Sequence, residues 1–262
     1  MNRALLVMFV GLALAAPVLA QGPAPAPQTH RWRIAVAGGW ATGYLGLLAM
    51  HGLPRERISE LELADPDRLK QFDVIITANA SNAADWVTKL EQFAADGGIA
   101  FIEGPPAPSL DAIPGRRVAP DTCPNLRFVP SSSPISQGLP ELGPLYCAGY
   151  GAAPIVPDPQ APVTVLARYT NDTTPDKFRD HLMDGGQGAP AILLAKYGKG
   201  YIVYIANCIS VSLALSGRGF EPFICKVLEN LSGGQLRDRV FADNLDRDAL
   251  QSTPPPLPEA PD

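Results

Sequence analysis

Phe72-Asp73-Val74-Ile75-Ile76-Thr77-Ala78 and, one helix later, Asp96-Gly97-Gly98-Ile99-Ala100-Phe101-Ile102 are the two stretches that decide the fold. Each holds a short, nearly unbroken apolar run, too short for a helix and without the alternation of a half-exposed strand, so each reads as a strand buried on both faces. Between them Ala83–Ala95 sets Trp86, Val87, Leu90 and Phe93 at helical spacing, and Asp96-Gly97-Gly98 stops the helix. Two such strands joined by a helix form a parallel unit. Toward the N-terminus, Trp32–Ala37 predicts another buried strand ending in Gly38-Gly39. Thr42–His51 predicts a helix, Ile58–Leu63 a half-buried strand near a sheet edge, and Asp65-Pro66-Asp67 the opening of a helical turn through Lys70. Toward the C-terminus, Val163–Tyr169, Ala191–Lys196 and Tyr201–Ala206 read as strands, the last two joined by Tyr197-Gly198-Lys199-Gly200 as a hairpin turn. Phe220–Leu231 reads as a closing amphipathic helix that ends at Ser232-Gly233-Gly234.

The segments outside this alternation set the domain organisation. Gly104–Pro162 carries 14 of the 28 prolines and two of the four cysteines, with almost no helical periodicity, and reads as an excursion over one end of the sheet. Met1–Ala20 has a basic start at Arg3, an apolar run and Val18-Leu19-Ala20 before Gln21, the pattern of a secretory signal. Residues 21–31 form a Pro/Ala linker, 32–234 the α/β domain with its insertion at 104–162, and 235–262 a C-terminal extension with a Pro-rich tail expected to stay out of the core. Without its first twenty residues the chain has 20 basic and 26 acidic side chains, which argues against a nucleic-acid-binding surface. No second apolar run reaches the roughly 18 residues of a membrane span. The expected setting is secreted or periplasmic.

At this point the residues resemble a known superfamily. The order of strand, Gly-Gly, helix, then Phe72–Ile76, then a helix and Asp96–Ile102, resembles the class I glutamine amidotransferase-like superfamily, and its ThuA-like branch most closely. Ser133-Pro134-Ile135-Ser136-Gln137-Gly138-Leu139-Pro140 is similar to that branch's His-Pro-Ile-Thr-x-Gly-Leu-Pro segment, with Ser133 in place of histidine. Val165–Arg168, Pro190–Leu193 and Tyr197–Ile205 are similar to its later strands and Tyr-Gly-Lys-Gly hairpin. The resemblance implies a flavodoxin-like three-layer α/β sandwich with a mostly parallel sheet and a long Pro-rich insertion. It also implies a catalytic cysteine on a turn after the fourth strand and a histidine after a later one. Here Glu103-Gly104 stands at the first place and Asn207-Cys208 at the second, so no nucleophile and base pair remains for acyl transfer.

Other chemistry is sparse. Cys123, Cys147, Cys208 and Cys225 are an even number in an exported chain, which predicts disulfides. Three connectivities are open, and Cys123–Cys147 with Cys208–Cys225 is preferred. His30, His51 and His181 do not cluster with the cysteines, so no metal site is expected. Asp176, Asp180 and Asp184 read as a solvated face beside Lys177 and Arg179. Gly38-Gly39-Trp40-Ala41-Thr42-Gly43 lacks the spacing of a dinucleotide or P-loop fingerprint, and no cofactor is expected. Glu103, at a strand's C-terminal end, reads either as a carboxylate accepting nearby backbone N–H bonds or as a weak candidate for a general base.

In open parallel sheets ligands meet the loops after strand C-termini. The loops Gly38–Thr42, Asn79–Asn82, Glu103–Pro106 and Asn207–Ser210 should bring together Trp40, Thr42, Asn79, Ser81, Asn82, Glu103 and Asn207, a set suited to polyols. The expectation is an exported, catalytically degenerate domain binding a small molecule, a glycan or an envelope protein. The alternatives are a sugar-directed hydrolase or lyase using Glu103 with Asp176 or His181, and a structural or oligomerisation module.

Overall fold

A computed structural model describes residues 32–80, 84–104, 110–118, 125–142, 145–146, 153–170, 188–215 and 220–233. Five strands run parallel in the order β2 (Glu56–Arg57), β1 (Ile34–Ala37), β3 (Val74–Thr77), β4 (Ile99–Glu103) and β11 (Gly200–Ile205). This is the flavodoxin-like strand order, with its topological switch between β1 and β3. Every residue of β1, β3 and β4 is buried, which is why these strands read as apolar runs rather than alternating ones. Helix α1 (Ala41–Met50) leads from β1 back to β2 and packs on α4 (Ile209–Leu215), while α3 (Ala84–Asp96) leads from β3 on to β4 and packs on the short helix α2 (Pro66–Leu69). Right-handed crossovers in opposite directions put the two groups on opposite faces, giving three layers.

The sheet then continues antiparallel through β10 (Pro190–Tyr197), β9 (Val163–Tyr169), β6 (Asn125–Phe128) and β7 (Leu145–Tyr146). The hairpin between β10 and β11 falls where the Tyr-Gly-Lys-Gly turn predicts it. The excursion supplies β6 and β7 to the sheet, and a two-stranded ribbon of β5 (Gly115–Arg117) and β8 (Ile155–Pro157). This ribbon is tied down at two places. The Tyr204 hydroxyl donates to the Ala153 carbonyl at 2.5 Å. The buried Glu91 of α3 accepts a bond from the Ala112 N–H at 2.9 Å. The closing helix α5 (Glu221–Leu231) sets Phe223 on Phe128 of β6, ring centres 5.1 Å apart. Asn230 Nδ2 donates to the carbonyls of Ile135 and Gln137 at 2.8 and 3.0 Å.

Two local expectations are corrected. The strand expected at Ile58–Leu63 is not there: β2 ends at Arg57, and Leu61 is 87% exposed where a half-buried strand would cover it. Ser59 and Glu62 instead form a reciprocal capping box, the Ser59 N–H donating to Glu62 Oε2 at 2.7 Å and the Glu62 N–H to Ser59 Oγ at 3.3 Å. This box opens a 3-10 turn at Glu62–Ala64. The signal, Ser-x-x-Glu, was in the sequence, masked by the apparent alternation of leucine and glutamate. The second correction concerns cysteines: no bridge joins Cys208 to Cys225. Cys208 follows β11 in the middle of the sheet, whereas α5 packs Phe223 on β6, nearer the antiparallel edge, so the helix that carries Cys225 covers another part of the sheet. Cys123 and Cys147 lie outside the described residues.

Among the described residues no helix is long and apolar enough to cross a membrane, and no cluster of histidine, cysteine and carboxylates could hold a metal.

Candidate functional site

The loops after β1 and β3 meet at the switch point in tight backbone contact. Gly38 has φ +107°, and a Cβ there would stand 2.3 Å from the Ala78 carbonyl oxygen, so only glycine fits. The Trp40 N–H donates to that same oxygen at 3.2 Å. Asn79 follows with φ +52°, a left-handed conformation that asparagine tolerates and most residues do not. Close packing here turns Trp40 outward, leaving it 44% exposed, with Thr42 exposed and Asn79 half-buried.

The Gly38-Gly39 turn that precedes Trp40 borders a shallow depression of about 500 Å³, lined by Gly38, Gly39, Arg57, Ile58, Ser59 and Glu60. Arg57, Ser59 and Glu60 are residues that sequence reasoning missed. Reading Ile58–Leu63 as a strand hid the turn that brings them to the edge, and Arg57 supplies a cation that the expected site lacked. A second depression of about 550 Å³ opens at the opposite, N-terminal edge of the sheet, with Leu69, Phe72 and Phe93 as floor and Lys70, Lys89 and Asp96 among its rim.

Glu103 and Asn207 belong to the same edge but lie beneath it, 0% and 2% exposed. Glu103 ends β4, where its N–H donates to Thr77 Oγ1 at 3.3 Å. Its Oε1 accepts two bonds from Ser210, one from the backbone N–H and one from the hydroxyl, each at 2.7 Å. A carboxylate accepting backbone N–H bonds is therefore one of the two readings the sequence offered, realised with a partner 107 residues away. Oε2, the Tyr44 hydroxyl and Asn207 Oδ1 are buried without a hydrogen-bond partner. The Tyr44 hydroxyl couples electrostatically to the carboxyl yet falls outside hydrogen-bond geometry.

Burial dominates the electrostatics. It pushes Glu103 up from the ordinary 4.5 to about 7, against the opposing pull of the Ser210 bonds. Burial, followed by the nearby Glu103 charge, pushes the Cys208 thiol up to about 12 and the Tyr44 hydroxyl well above its usual range. Cys208, whose Sγ lies 3.3 Å from Ser210 Oγ, is thus a protonated thiol at neutral pH.

The turn after β4 is closed as well. The Gly104 N–H donates to the Ile205 carbonyl at 2.9 Å. With φ +26°, a Cβ on Gly104 would lie 3.2 Å from the Asn207–Cys208 peptide. The place where the resemblance puts a nucleophile is therefore packed against the place where it puts the base. Of the expected set, then, Trp40, Thr42 and Asn79 form the outer edge, and Glu103 and Asn207 a buried layer below it. Ser81, Asn82, Asp176 and His181 lie outside the described residues.

No protein-family model matches the chain, and no curated protein matches it. Solved structures do match. A cytoplasmic protein from Salmonella typhimurium LT2 is similar over 76% of this chain and 98% of its own, at 12% identity and TM-score 0.50. A second cytoplasmic protein from Salmonella typhimurium is similar over 79% and 98%, at 13% identity and TM-score 0.50. A protein described as ThuA-like, from Bacteroides uniformis, aligns over 80% and 95%, at 14% identity and TM-score 0.49. What the two Salmonella structures share with this chain at these identities is the α/β fold alone, in agreement with the strand order above.

Proposed function

We propose that this chain is a non-catalytic binding domain whose ligand is a neutral polyol, such as a carbohydrate, held at the C-terminal edge of β1 and β2. The observation that carries the reading is the exposed Trp40, next in the chain to Gly38-Gly39, which line a depression together with one cation, Arg57, and one anion, Glu60. An aromatic face with a few convergent polar groups and no net charge suits an amphipathic ring better than a phosphate. The non-catalytic part is supported by the buried layer: Glu103 is shut off from solvent and its Oε1 is occupied twice by Ser210. We further propose, from Met1–Ala20, that the protein acts outside the cytoplasm, where envelope and extracellular glycans are found.

A glycan panel read by direct binding tests this, with Trp40→Ala and Glu103→Gln measured beside the wild type. Binding that weakens at least tenfold in Trp40→Ala and survives in Glu103→Gln supports the reading. Undiminished binding in Trp40→Ala overturns the site, and turnover of a bound glycan that Glu103→Gln abolishes overturns the non-catalytic assignment.

A further inference from the structure

The buried layer has one-sided chemistry. Glu103 from β4, Tyr44 from α1 and Cys208 from the loop after β11 are all weak acids, each no more than 4% exposed. β3 contributes only the Thr77 hydroxyl, and α4 only the N–H and hydroxyl of Ser210. No cation figures among the described groups acting on the carboxyl. One oxygen of Glu103 holds the start of α4, and the other is buried and unpartnered beside an equally unpartnered Tyr44 hydroxyl. We propose that Glu103 is a proton-controlled latch: while it carries a proton it holds the Asn207–Ser210 loop closed over the end of β4, and when it loses that proton it releases the loop.

The protonated acid is neutral, keeps Oε1 for the two Ser210 donors and has an O–H to turn toward the Tyr44 oxygen. Ionisation sends that proton to solvent and leaves a full charge in a dry site. Its remaining titratable neighbours, the neutral Tyr44 hydroxyl and Cys208 thiol, can donate hydrogen bonds but bring no positive charge, so the cost of burial dominates. Opening the loop wets the carboxylate, so deprotonation favours the open form. The loop carries the Ser210 end of the tie. Because Ala206–Val211 is itself buried, opening means lifting the loop and the first turn of the seven-residue α4 from the sheet, while β4 stays hydrogen-bonded to strands on both sides. The latch acts on the chain's own loop and does not depend on the ligand proposed above.

Cys208 is a built-in reporter, because a thiol at 4% exposure is alkylated only when the loop opens. In the full-length protein, alkylation of Cys208 is followed by peptide mass spectrometry from pH 5 to 9 and corrected for the thiolate fraction of an unfolded cysteine. The corrected rate should rise about tenfold per pH unit up to the titration of Glu103 near neutrality, roughly 10² in all, and then level off. Glu103→Gln should remove this rise. An equal rise in Glu103→Gln, or a flat wild-type profile, overturns the latch. Infrared spectroscopy of the wild type gives an answer that needs no variant to fold. A protonated carboxyl band that persists at pH 6 and is gone by pH 9 supports the latch, and absence of that band at pH 6 overturns it.

Discussion

The two halves of the sheet solve the same burial problem with different means. The parallel half, β2-β1-β3-β4-β11, is built from helix-linked strands, and β1, β3 and β4 are buried at every residue. The antiparallel half, β10-β9-β6-β7, takes two of its strands from a Pro-rich excursion that also contributes the β5–β8 ribbon and the 3-10 turn Pro134–Ser136 against α5. The parallel half relies on apolar area, as do β10 and the inner residues of β9 and β6, whereas the β5–β8 ribbon of the excursion relies on a few tethers, Glu91 to Ala112 and Tyr204 to Ala153. Regular crossovers bring loops to one edge, and only the parallel half has them. The candidate site accordingly belongs to that half.

This contrast is easiest to break at the centre of the parallel half. Phe101→Ala, in β4 at 0% exposure, should cost about 3–5 kcal/mol by denaturant unfolding; a loss under 1 kcal/mol would show that the core does not lean on this strand. The next effect is pH. Because Glu103 rises from 4.5 to about 7 on folding, its proton stabilises the folded state fully below pH 4.5. That stability is lost as pH rises toward 7, about 3 kcal/mol in total, and the curve is flat above. Glu103→Gln should lack this decline, and a wild type whose stability grows across the same interval would contradict the burial argument. In the excursion, Glu91→Ala leaves the buried Ala112 N–H unpaired and should cost about 1–3 kcal/mol. Its distinguishing signature is faster amide exchange at residues 110–113 with β4 unaffected; uniform acceleration would mean that the excursion is not a separate unit. The smallest stability effect should be Trp40→Ala, within about 0.5 kcal/mol of wild type, since the residue is 44% exposed and lies outside the core. A larger loss would make Trp40 a packing residue and weaken its proposed role in binding.

Much of the parallel half is legible from residues alone. Helical spacing in Ala83–Ala95 anticipates α3 to within a residue at either end, and Asp65 caps α2 as its Asp-Pro-Asp context suggests, accepting from the Asp67 and Arg68 N–H groups at 3.0 and 3.4 Å. These features depend on neighbours within one or two turns, so the sequence carries them locally. The Ser59–Glu62 box is local too and was legible in principle, but it competed with a spurious period of two.

What the tertiary structure alone decides is of another kind. Leu126 and Phe128 gain their place beside β9 only through pairing with Tyr169 and Ala167, about forty residues on, and nothing nearby in the chain encodes that register. The separation of Cys208 from Cys225 is set by which part of the sheet α5 covers, not by the sixteen residues between them. Glu103 is the sharpest case. Its position at a strand end follows from the apolar run before it, but whether a carboxyl there meets water or a dry pocket depends on Tyr44, Cys208 and Ser210, which reach it from distant elements. Local sequence sets backbone conformation through short-range sterics and capping. Burial, and with it the charge state of a buried acid, is a property of everything packed around it.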